Sequence, residues 1–198
     1  MKKMKKLFIT GALSLSLFGF AAESNAATNT HIVHKGQSYW TIANQYGISV
    51  PHLKKVNNRT SDLLYAGEKI LIPNSKITAA EKELIARLVH AEAKGEPYAG
   101  KVAVATVVLN RLDSPLFPNT VSGVIYEKVS GHYAFTPVQN GAINQPADLS
   151  SKKAVDEALA FRGQGRGSLY FFNPKTSTSK WVFSRQVTVT IGKHRFAK

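Results

Sequence analysis

Hydrophobic positions between residues 31 and 73 follow first the period of a strand and then the spacing of a helix. From His31 to His34 the residues form a short alternating segment, which is typical of a strand. Two short stretches with helical spacing start at Ser38 and Ser49, because serine is a favoured N-cap residue. Leu71 to Pro73 then closes the unit as another strand. The pattern predicts the order strand, helix, helix, strand.

A longer stretch of helical spacing begins at a capping box after the polar linker at residues 74–76. The Thr78 hydroxyl is placed to accept from the backbone N–H of Glu81, whose carboxylate reaches back to the cap. Glu92 continues the apolar face of this helix, four residues after Leu88. The other members of that face are Leu84, Ile85 and Val89. The spacing therefore puts a carboxylate on the core side of the helix.

A second, buried helix is predicted directly after the first. Gly95 suits a helix end, and Pro97 is tolerated in the first turn of a helix that we expect to run through Arg111. Residues 102–109 are apolar on all sides, and an unbroken run of this length favours a buried helix over a strand. Glu92 would then lie in a last helical turn, beside a tight loop and against a buried partner.

This position changes the acidity expected of Glu92. Partial burial and the negative end of the helix dipole both disfavour the carboxylate, so the pKa of Glu92 should rise. A raised pKa is what a general acid needs to protonate a glycosidic oxygen near neutral pH. From the residues alone, the alternative is a buried structural glutamate paired with Arg87 or Arg111.

One further helix and two strands are predicted in the C-terminal part of the chain. An amphipathic helix from Ser150 to Phe161 would place Val155 and Leu159 inward and its acidic residues in solvent. Tyr170 to Phe172 has the composition of a strand. Alternating valines indicate another strand from Arg185 to Ile191.

The N-terminus has the three parts of a secretion signal. A basic MKKMKK start precedes an apolar stretch from Leu7 to Phe20 and small residues from Ser24 to Ala27 that suit cleavage. The apolar stretch has fourteen residues, fewer than a bilayer-spanning helix requires. We therefore expect cleavage near Ala27, export, and no stable membrane insertion once the leader is removed. An uncleaved anchor is the alternative.

Charge and cysteine content narrow the classes of partner and chemistry. The net charge is +14, and it is still +11 without residues 1–26, which hold four lysines and one glutamate. Such a protein should seek a polyanion: nucleic acid, anionic lipid or a teichoic-acid-bearing wall. The basic residues are scattered, and the export signal also disfavours nucleic acid. The absence of cysteine excludes disulfides, thiol catalysis and cysteine-ligated metal sites.

The segment at residues 31–73 resembles a LysM domain. The positions that match the family pattern are Val33, Gly36, Trp40, Ile42, Ala43, Ser49, Val50, Leu53, Asn57, Gly67, Ile70, Ile72 and Pro73. His31, Gln37 and Tyr39 stand where tyrosine, aspartate and leucine are common, and Gln37 bears on binding strength. The resemblance implies binding of a glycan that contains N-acetylglucosamine, through backbone groups in the strand–helix and helix–strand loops.

The segment at residues 78–198 resembles the spore cortex-lytic enzyme family of bacterial cell-wall hydrolases. The resemblance is carried by His90-Ala-Glu92-Ala-Lys-Gly-Glu96-Pro97, Val102-Ala-Val104-Ala, Asn110-Arg111, Phe135-Thr136-Pro-Val138-Gln-Asn-Gly141, Tyr170-Phe-Phe-Asn173-Pro174 and Ile191-Gly192-x-His194-x-Phe196. It implies a compact α+β domain related to lytic transglycosylases, with Glu92 as catalytic acid and base. Members have also been described as N-acetylmuramoyl-L-alanine amidases, so the bond that is cut stays open.

Aromatic faces and polar groups mark a candidate saccharide groove. Sugar rings expose C–H faces together with hydroxyls, which suits such a mixture of side chains. The alternative for the segment from Tyr170 to Phe172 is a strand that is simply buried. The candidate substrate-binding residues are Tyr133, Phe135, Thr136 and Gln139 on one wall and Tyr170 and Asn173 on the other.

Glu96 is the second carboxylate nearest to Glu92 in the sequence. A glycosidase with two carboxylates holds them roughly 5–10 Å apart across the sugar. Gly95 and Pro97 leave the direction of the Glu96 side chain open, and capping of the following helix is its structural alternative. We give Glu96 a secondary, substrate-binding role.

Two other functions stay open from the sequence. A non-catalytic wall or spore-coat protein would bind with both domains, but a pure binder has no reason to keep Glu92 on the core side. A zinc amidase would need about three ligands, and His90-Ala-Glu92 is not a His-Glu-x-x-His motif. The candidate zinc ligands are His90, Glu92, Glu96, His132 and His194.

Together these patterns predict a secreted, wall-associated α+β protein. Residues 1–26 form the signal peptide, 27–75 a small βααβ LysM module, and 76–198 a mainly helical, lysozyme- or lytic-transglycosylase-like catalytic domain with a small β-sheet. The short linker should let the domains move somewhat independently. We expect a monomer, without cofactor or metal ion, that cuts peptidoglycan glycan strands of the vegetative wall or spore cortex between N-acetylmuramic acid and N-acetylglucosamine as a lytic transglycosylase.

Overall fold

Residues 29–198 are described by the computed structural model and form two packed units of an α+β fold. The predicted signal peptide, residues 1–26, lies outside the described residues. Across the described part, no helix combines the length and the apolar character needed to cross a membrane.

The N-terminal unit has the predicted order of strand, helix, helix and strand. Its elements are β1 (Asn29–Ile32), α1 (Tyr39–Tyr46), α2 (Val50–Val56) and β2 (Lys69–Ile72). The strands are antiparallel, and β1 starts two residues before the predicted strand because Asn29 pairs with Ile72. Ser38 and Ser49 cap the two helices through backbone N–H groups, as predicted, and Gly47 ends α1 with a φ of 62°. Local signals therefore set most of this unit.

Two positions that depart from the LysM pattern contact each other. The His31 Nε2–H donates to Gln37 Oε1 at 2.7 Å, and His31 Nδ1 lies 3.0 Å from the Tyr46 hydroxyl. Gln37 Oε1 also accepts from the His34 backbone N–H at 2.8 Å. The histidine and the glutamine therefore compensate for one another and hold the turn after β1.

The C-terminal unit is mainly helical and carries a small antiparallel sheet. Its helices are α3 (Ala79–Ala93), α4 (Tyr98–Asp113), α5 (Val121–Ile125), α6 (Thr136–Gln139), α7 (Leu149–Ala160) and α8 (Lys180–Phe183). Its strands are the hairpin β3 (Lys128–Val129) and β4 (His132–Tyr133), and the sheet strands β5 (Tyr170–Phe172), β6 (Val187–Ile191) and β7 (His194–Ala197). The sheet order is β5-β7-β6, which places β7 in the centre.

The helices α3, α4 and α7 pack around one apolar core that also includes Phe196 of β7. Leu88 and Val89 of α3 and Val104 and Val108 of α4 are fully buried. Burial of a side chain of this size contributes about 1.5–3 kcal/mol. The capping box of Thr78 and Glu81 begins α3 as predicted. The core thereby fixes the C-terminal end of α3 next to the sheet.

Several element bounds differ from those expected from the sequence. Pro97 is the N-cap of α4 and not a residue of its first turn, and α4 continues to Asp113. The strand predicted from Arg185 begins at Val187, because the Arg185 N–H donates to the Val182 carbonyl at the end of α8. The strand β7 was not predicted, since its short segment lacks apolar alternation and becomes a strand only by pairing with β5 and β6.

The two units contact each other in this structure, and their somewhat independent movement stays a prediction. Trp40 of α1 lies against Phe161, directly after α7, with ring centroids 6.5 Å apart. Ala160 of α7 belongs to the apolar core of the N-terminal unit. The linker is also held, since Ser75 Oγ donates to the Gly47 carbonyl at 2.9 Å. A short polar linker permits movement, but the apolar surface on each side of it favours contact.

Candidate active-site cleft

A cleft of about 320 Å³ opens where the end of α3 meets the sheet. Its walls come from parts of the chain that are far apart in sequence. The lining residues are Glu92, Arg111, Ala134, Phe135, Thr136, Phe171, Phe172, Asn173, Thr176, Ser177 and His194. Aromatic rings and small polar groups therefore surround one carboxylate.

Glu92 lies in the last turn of α3, on the helix face to which the buried Leu88 belongs. Burial raises the pKa of Glu92 from its ordinary value of 4.5 to about 7. Within residues 29–198, neither Arg87 nor Arg111 forms an ion pair with it, so the alternative of a paired structural glutamate is not observed. This shift favours the protonated form of Glu92 near neutral pH, which suits a general acid.

Arg111 is buried at the end of α4 and is held in place by its surroundings. Its Nε–H donates to the Leu169 carbonyl at 2.8 Å. Its guanidinium group lies 4.8 Å from the ring centre of Phe117, 5.0 Å from Phe135 and 5.5 Å from Tyr170. Cation–π contacts of this kind are stronger when they are desolvated. Arg111 therefore fixes the orientation of Phe135, whose ring forms part of the cleft wall.

His194 enters the cleft from the first position of β7. Its ring contacts Phe171 edge-on, with ring centroids 5.4 Å apart. Burial lowers the pKa of His194, while the negative charge of Glu96 acts in the opposite direction. The imidazole is therefore mainly neutral at neutral pH and has both a hydrogen-bond donor and an acceptor.

The loop after β5 supplies the polar rim of the cleft. Asn173 Oδ1 accepts from the Lys175 backbone N–H at 3.0 Å, and the Asn173 carbonyl accepts from Ser177 N–H at 2.9 Å. These bonds hold the loop in a tight turn. Thr176 and Ser177 consequently face the same space as Glu92.

Half of the site residues proposed from the sequence meet in this cleft. Glu92 comes from α3, Phe135 and Thr136 come from the segment after β4, and Asn173 follows β5. Phe135 and Phe171 stack with ring centroids 6.2 Å apart, which joins the two walls. Aromatic rings and polar groups therefore lie together around Glu92, and their binding of a saccharide stays a prediction.

The other proposed binding residues lie outside the cleft lining. Tyr133 of β4 has its ring centre 4.7 Å from Lys128 Nζ. Gln139 is exposed at the end of α6. Tyr170 packs edge-on against Trp181 at 4.9 Å, as the alternative of a packed strand expects. Their contribution to substrate binding stays a prediction.

Glu96 also lies outside the cleft lining and has a different partner. Its Oε2 accepts from the Lys193 backbone N–H at 2.9 Å, in the turn between β6 and β7. The N-cap of α4 is Pro97 and has no side-chain cap hydrogen bond, so Glu96 does not cap that helix. The carboxylate instead ties the loop after α3 to the sheet.

Six polar or aromatic cleft residues were not proposed as binding residues. They are Arg111, Phe171, Phe172, Thr176, Ser177 and His194. His194 was considered only as a metal ligand, although it stands in the C-terminal motif Ile191-Gly192-x-His194-x-Phe196. That motif, and the Asn173-Pro174 turn before Thr176, were the available signals.

The five side chains considered as zinc ligands do not converge in the part of the chain that the structure describes. His90 Nδ1 lies 3.3 Å from Asp148 Oδ2, and His132 is exposed in the β3–β4 hairpin. Only Glu92 and His194 of the five line the cleft. Among residues 29–198, no three or more His, Asp or Glu side chains form a group that suits a metal ion.

Each of the two units matches the model of a known protein family. A family model for cell wall hydrolases matches residues 95–197, which is 103 of the 198 residues. The chain belongs to the cell wall hydrolase family. A LysM model matches residues 31–73, so this cell wall hydrolase carries a LysM domain before its hydrolase domain. The hydrolase match begins three residues after Glu92 and does not include it.

Relatives of this cell wall hydrolase are named spore cortex-lytic enzymes. The protein from Halalkalibacterium halodurans is 49% identical over 114 residues, which cover 58% of this chain and 33% of the relative. The protein from Bacillus subtilis is 46% identical over 115 residues, which cover 58% of this chain and 36% of the relative. The matched part is therefore about a third of the length of these curated relatives.

A solved structure resembles the hydrolase domain of this cell wall hydrolase. It is the catalytic domain of the germination-specific lytic transglycosylase SleB from Bacillus anthracis, with 45% sequence identity and a TM-score of 0.56. The match covers 64% of this chain and 100% of the SleB domain. The two domains share one fold.

Proposed function

We propose that this cell wall hydrolase cleaves peptidoglycan glycan strands between N-acetylmuramic acid and N-acetylglucosamine as a lytic transglycosylase, with Glu92 as acid and base. The observation that carries the proposal is the burial of Glu92, which raises its pKa to about 7 in a cleft where it is the sole carboxylate among the described lining residues. The likeness to a domain named a lytic transglycosylase supports it.

The chemistry needs one carboxylic acid that gives a proton and then takes one. Protonated Glu92 donates to the glycosidic oxygen as the C1–O bond breaks, and positive charge develops on the sugar ring. The resulting carboxylate removes the proton of the C6 hydroxyl on the same N-acetylmuramic acid, and O6 bonds to C1. Glu92 ends protonated, and the product carries a 1,6-anhydro ring without the consumption of water.

Hydrolysis with two carboxylates has less support in this cleft. It would need a second carboxylate roughly 5–10 Å from Glu92 to act on water or on the sugar. Glu96 is the nearest in sequence, and its Oε2 is occupied by the Lys193 backbone N–H. The intramolecular C6 hydroxyl requires no such partner, because it is already held in place by the bound sugar.

Substrate binding is proposed for the aromatic and polar walls of the cleft. Thr136 and Asn173 offer hydrogen-bonding groups to a sugar, while the buried Phe135 supports the wall behind them. The LysM domain would bind N-acetylglucosamine units of the same polymer and raise the local concentration of substrate.

The cellular setting belongs to the same proposal. Residues 1–26 would direct export, 27–75 would anchor the enzyme on the wall, and 76–198 would cut it as a monomer. Relatives named spore cortex-lytic enzymes support the spore cortex as a substrate. The surplus of basic residues favours retention on an anionic wall.

Mass spectrometry of the released products tests the proposal. Residues 27–198 would be incubated with purified sacculi and, separately, with cortex fragments. We expect glycan fragments that end in 1,6-anhydro-N-acetylmuramic acid, recognised because they lack the elements of water relative to hydrolysed ends. Activity should persist in the presence of a chelator.

Other products would overturn the proposed bond or mechanism. Reducing N-acetylmuramic acid ends would indicate a muramidase, and reducing N-acetylglucosamine ends would indicate the other glycosidic bond. Free stem peptides that begin with L-alanine, on intact glycan, would establish an amidase. Loss of activity with a chelator and its recovery with zinc would support that last outcome.

A further inference from the structure

A direct contact joins two segments on either side of the cleft. The Lys193 backbone N–H donates to Glu96 Oε2 at 2.9 Å, which links the loop after α3 to the β6–β7 turn, residues 192 and 193. The two partners are 97 positions apart in the sequence. Glu96 therefore connects the Glu92 end of α3 to the sheet by a hydrogen bond.

The β6–β7 turn is shaped to receive this carboxylate. Gly192 has a φ of 57°, in the left-handed region that favours glycine. A Cβ at position 192 would overlap with Glu96 Oε2 and would lie 2.7 Å from Pro97 Cδ. Only a glycine allows the turn to approach the loop so closely.

The residue after this turn is His194, which lines the cleft together with Glu92. Its ring is held by edge-on contacts with Phe171 at 5.4 Å and Phe196 at 6.3 Å. Its Nδ1 is buried and has no hydrogen-bond partner among the described residues. The position of the imidazole therefore depends on the aromatic contacts and on where the turn places the backbone.

We infer that Glu96 is a positioning residue, which clamps the β6–β7 turn and so places His194 in the cleft to hydrogen-bond the glycan substrate. The inference rests on the proposed function, since it takes the cleft as the glycan site. In this arrangement His194 contacts the sugar, while Glu96 acts only through the turn. The sole carboxylate that exchanges a proton with the substrate is Glu92.

The charge of Glu96 gives the arrangement a second, measurable effect. Glu96 raises the pKa of His194 against the effects of burial and of Lys193. The other charged or titratable groups at the cleft are Glu92 and Arg111. Replacement of Glu96 by glutamine keeps an oxygen acceptor for the Lys193 N–H but removes the charge. The glutamine variant therefore separates the clamp from its electrostatic effect.

Kinetics of four variants test the inference: Glu96→Ala, Glu96→Gln, His194→Ala and the double alanine variant. We expect His194→Ala to raise KM for soluble glycan fragments by about 5- to 10-fold, as for one lost neutral hydrogen bond, with a smaller change in kcat. Glu96→Ala should do the same, and Glu96→Gln should stay near wild type. The double variant should be no worse than His194→Ala, because both act through one contact.

A matched control is Glu157→Gln, because the Glu157 carboxylate accepts one hydrogen bond from the Tyr98 hydroxyl at 2.9 Å and lies outside the cleft lining. This control should leave KM unchanged. Additive losses in the double variant would overturn the inference. So would a Glu96→Gln enzyme with a kcat as low as that of Glu92→Gln, since Glu96 would then be a second proton-transferring carboxylate.

Titration of the His194 imidazole by NMR gives a result that needs no activity. We expect the pKa of His194 to fall in Glu96→Gln while the chemical shifts of the surrounding aromatic residues stay close to wild type. In Glu96→Ala those shifts should change as well. An unaltered His194 titration in both variants would overturn the inference. Because this measurement uses no substrate, its failure is distinct from a product analysis that contradicts the proposed bond.

Discussion

The LysM domain and the hydrolase domain differ in the partners that surround their buried ionisable groups. In the LysM domain, His31 is buried with both ring nitrogens in contact with partners, Tyr46 and Gln37. The Tyr39 hydroxyl is buried without a partner, but burial raises its pKa and it stays uncharged at neutral pH. In the hydrolase domain, Glu92 is mostly buried and has no ion pair in the described part of the chain.

This difference is the one expected between a domain that only binds and a domain that holds a catalytic acid. A buried ionisable group without a partner costs stability, because the charged form loses its hydration. The LysM domain avoids that cost and would present its binding groups on loops. The hydrolase domain retains it at Glu92, whose carboxyl group faces a cleft. A perturbed pKa in a cleft is the physical mark of a functional site.

The largest effect expected from this comparison is on activity. Glu92→Gln keeps the shape of the side chain but has no acidic proton, so turbidity loss of sacculi should fall by roughly 10²- to 10⁴-fold. Circular dichroism should show an unchanged fold. Glu96→Gln, the matched control on the neighbouring loop, should lose far less. A Glu92→Gln enzyme with near wild-type lysis would remove Glu92 from the mechanism.

The same substitution should stabilise the protein at alkaline pH. The pKa of Glu92 is about 7 in the folded protein and near 4.5 when unfolded, so the unfolded chain releases its proton first as pH rises. Stability is therefore undiminished below pH 4.5, falls between about pH 4.5 and 7, and stays reduced above that. The loss amounts to about 3 kcal/mol.

Urea unfolding of wild type and Glu92→Gln at pH 4 and pH 8 measures this effect. At pH 8 the free energy of unfolding of the variant should exceed that of wild type. The difference should be much smaller at pH 4, where both side chains are uncharged. Glu96→Gln should show no such gain. An equal difference between variant and wild type at both pH values would mean that burial does not disfavour the Glu92 carboxylate.

The smallest effect concerns the LysM domain. Removal of residues 27–75 should lower retention on sacculi about tenfold and leave cleavage of soluble fragments largely intact, because the domain acts through effective concentration. It should also lower the Tm modestly, since Phe161, 41% exposed in the intact protein, loses its contact with Trp40. Phe161→Ser in the full protein is the control, with a lower Tm but normal retention. Unchanged retention after the deletion would place the affinity in the basic hydrolase domain.

Local signals were enough to predict the LysM domain and the helix that carries Glu92. Serine caps, the glycine after α1 and the capping box at Thr78 act within a few residues, and the structure has all of them. Helical periodicity placed Glu92 four residues after Leu88, on a buried face. Each of these features depends on neighbours within about one turn of the chain, so sequence order alone carries the information.

Tertiary structure decided which side chains stand around Glu92. His194, about a hundred positions later, reaches the cleft only because β7 pairs between β5 and β6 and because Glu96 holds the turn before it. Tyr170, in contrast, packs against Trp181 and Arg111. The docking of α7 on the LysM core was likewise decided by apolar surface that meets only in three dimensions. Contacts across such separations depend on the packing of the whole domain, which no local pattern encodes.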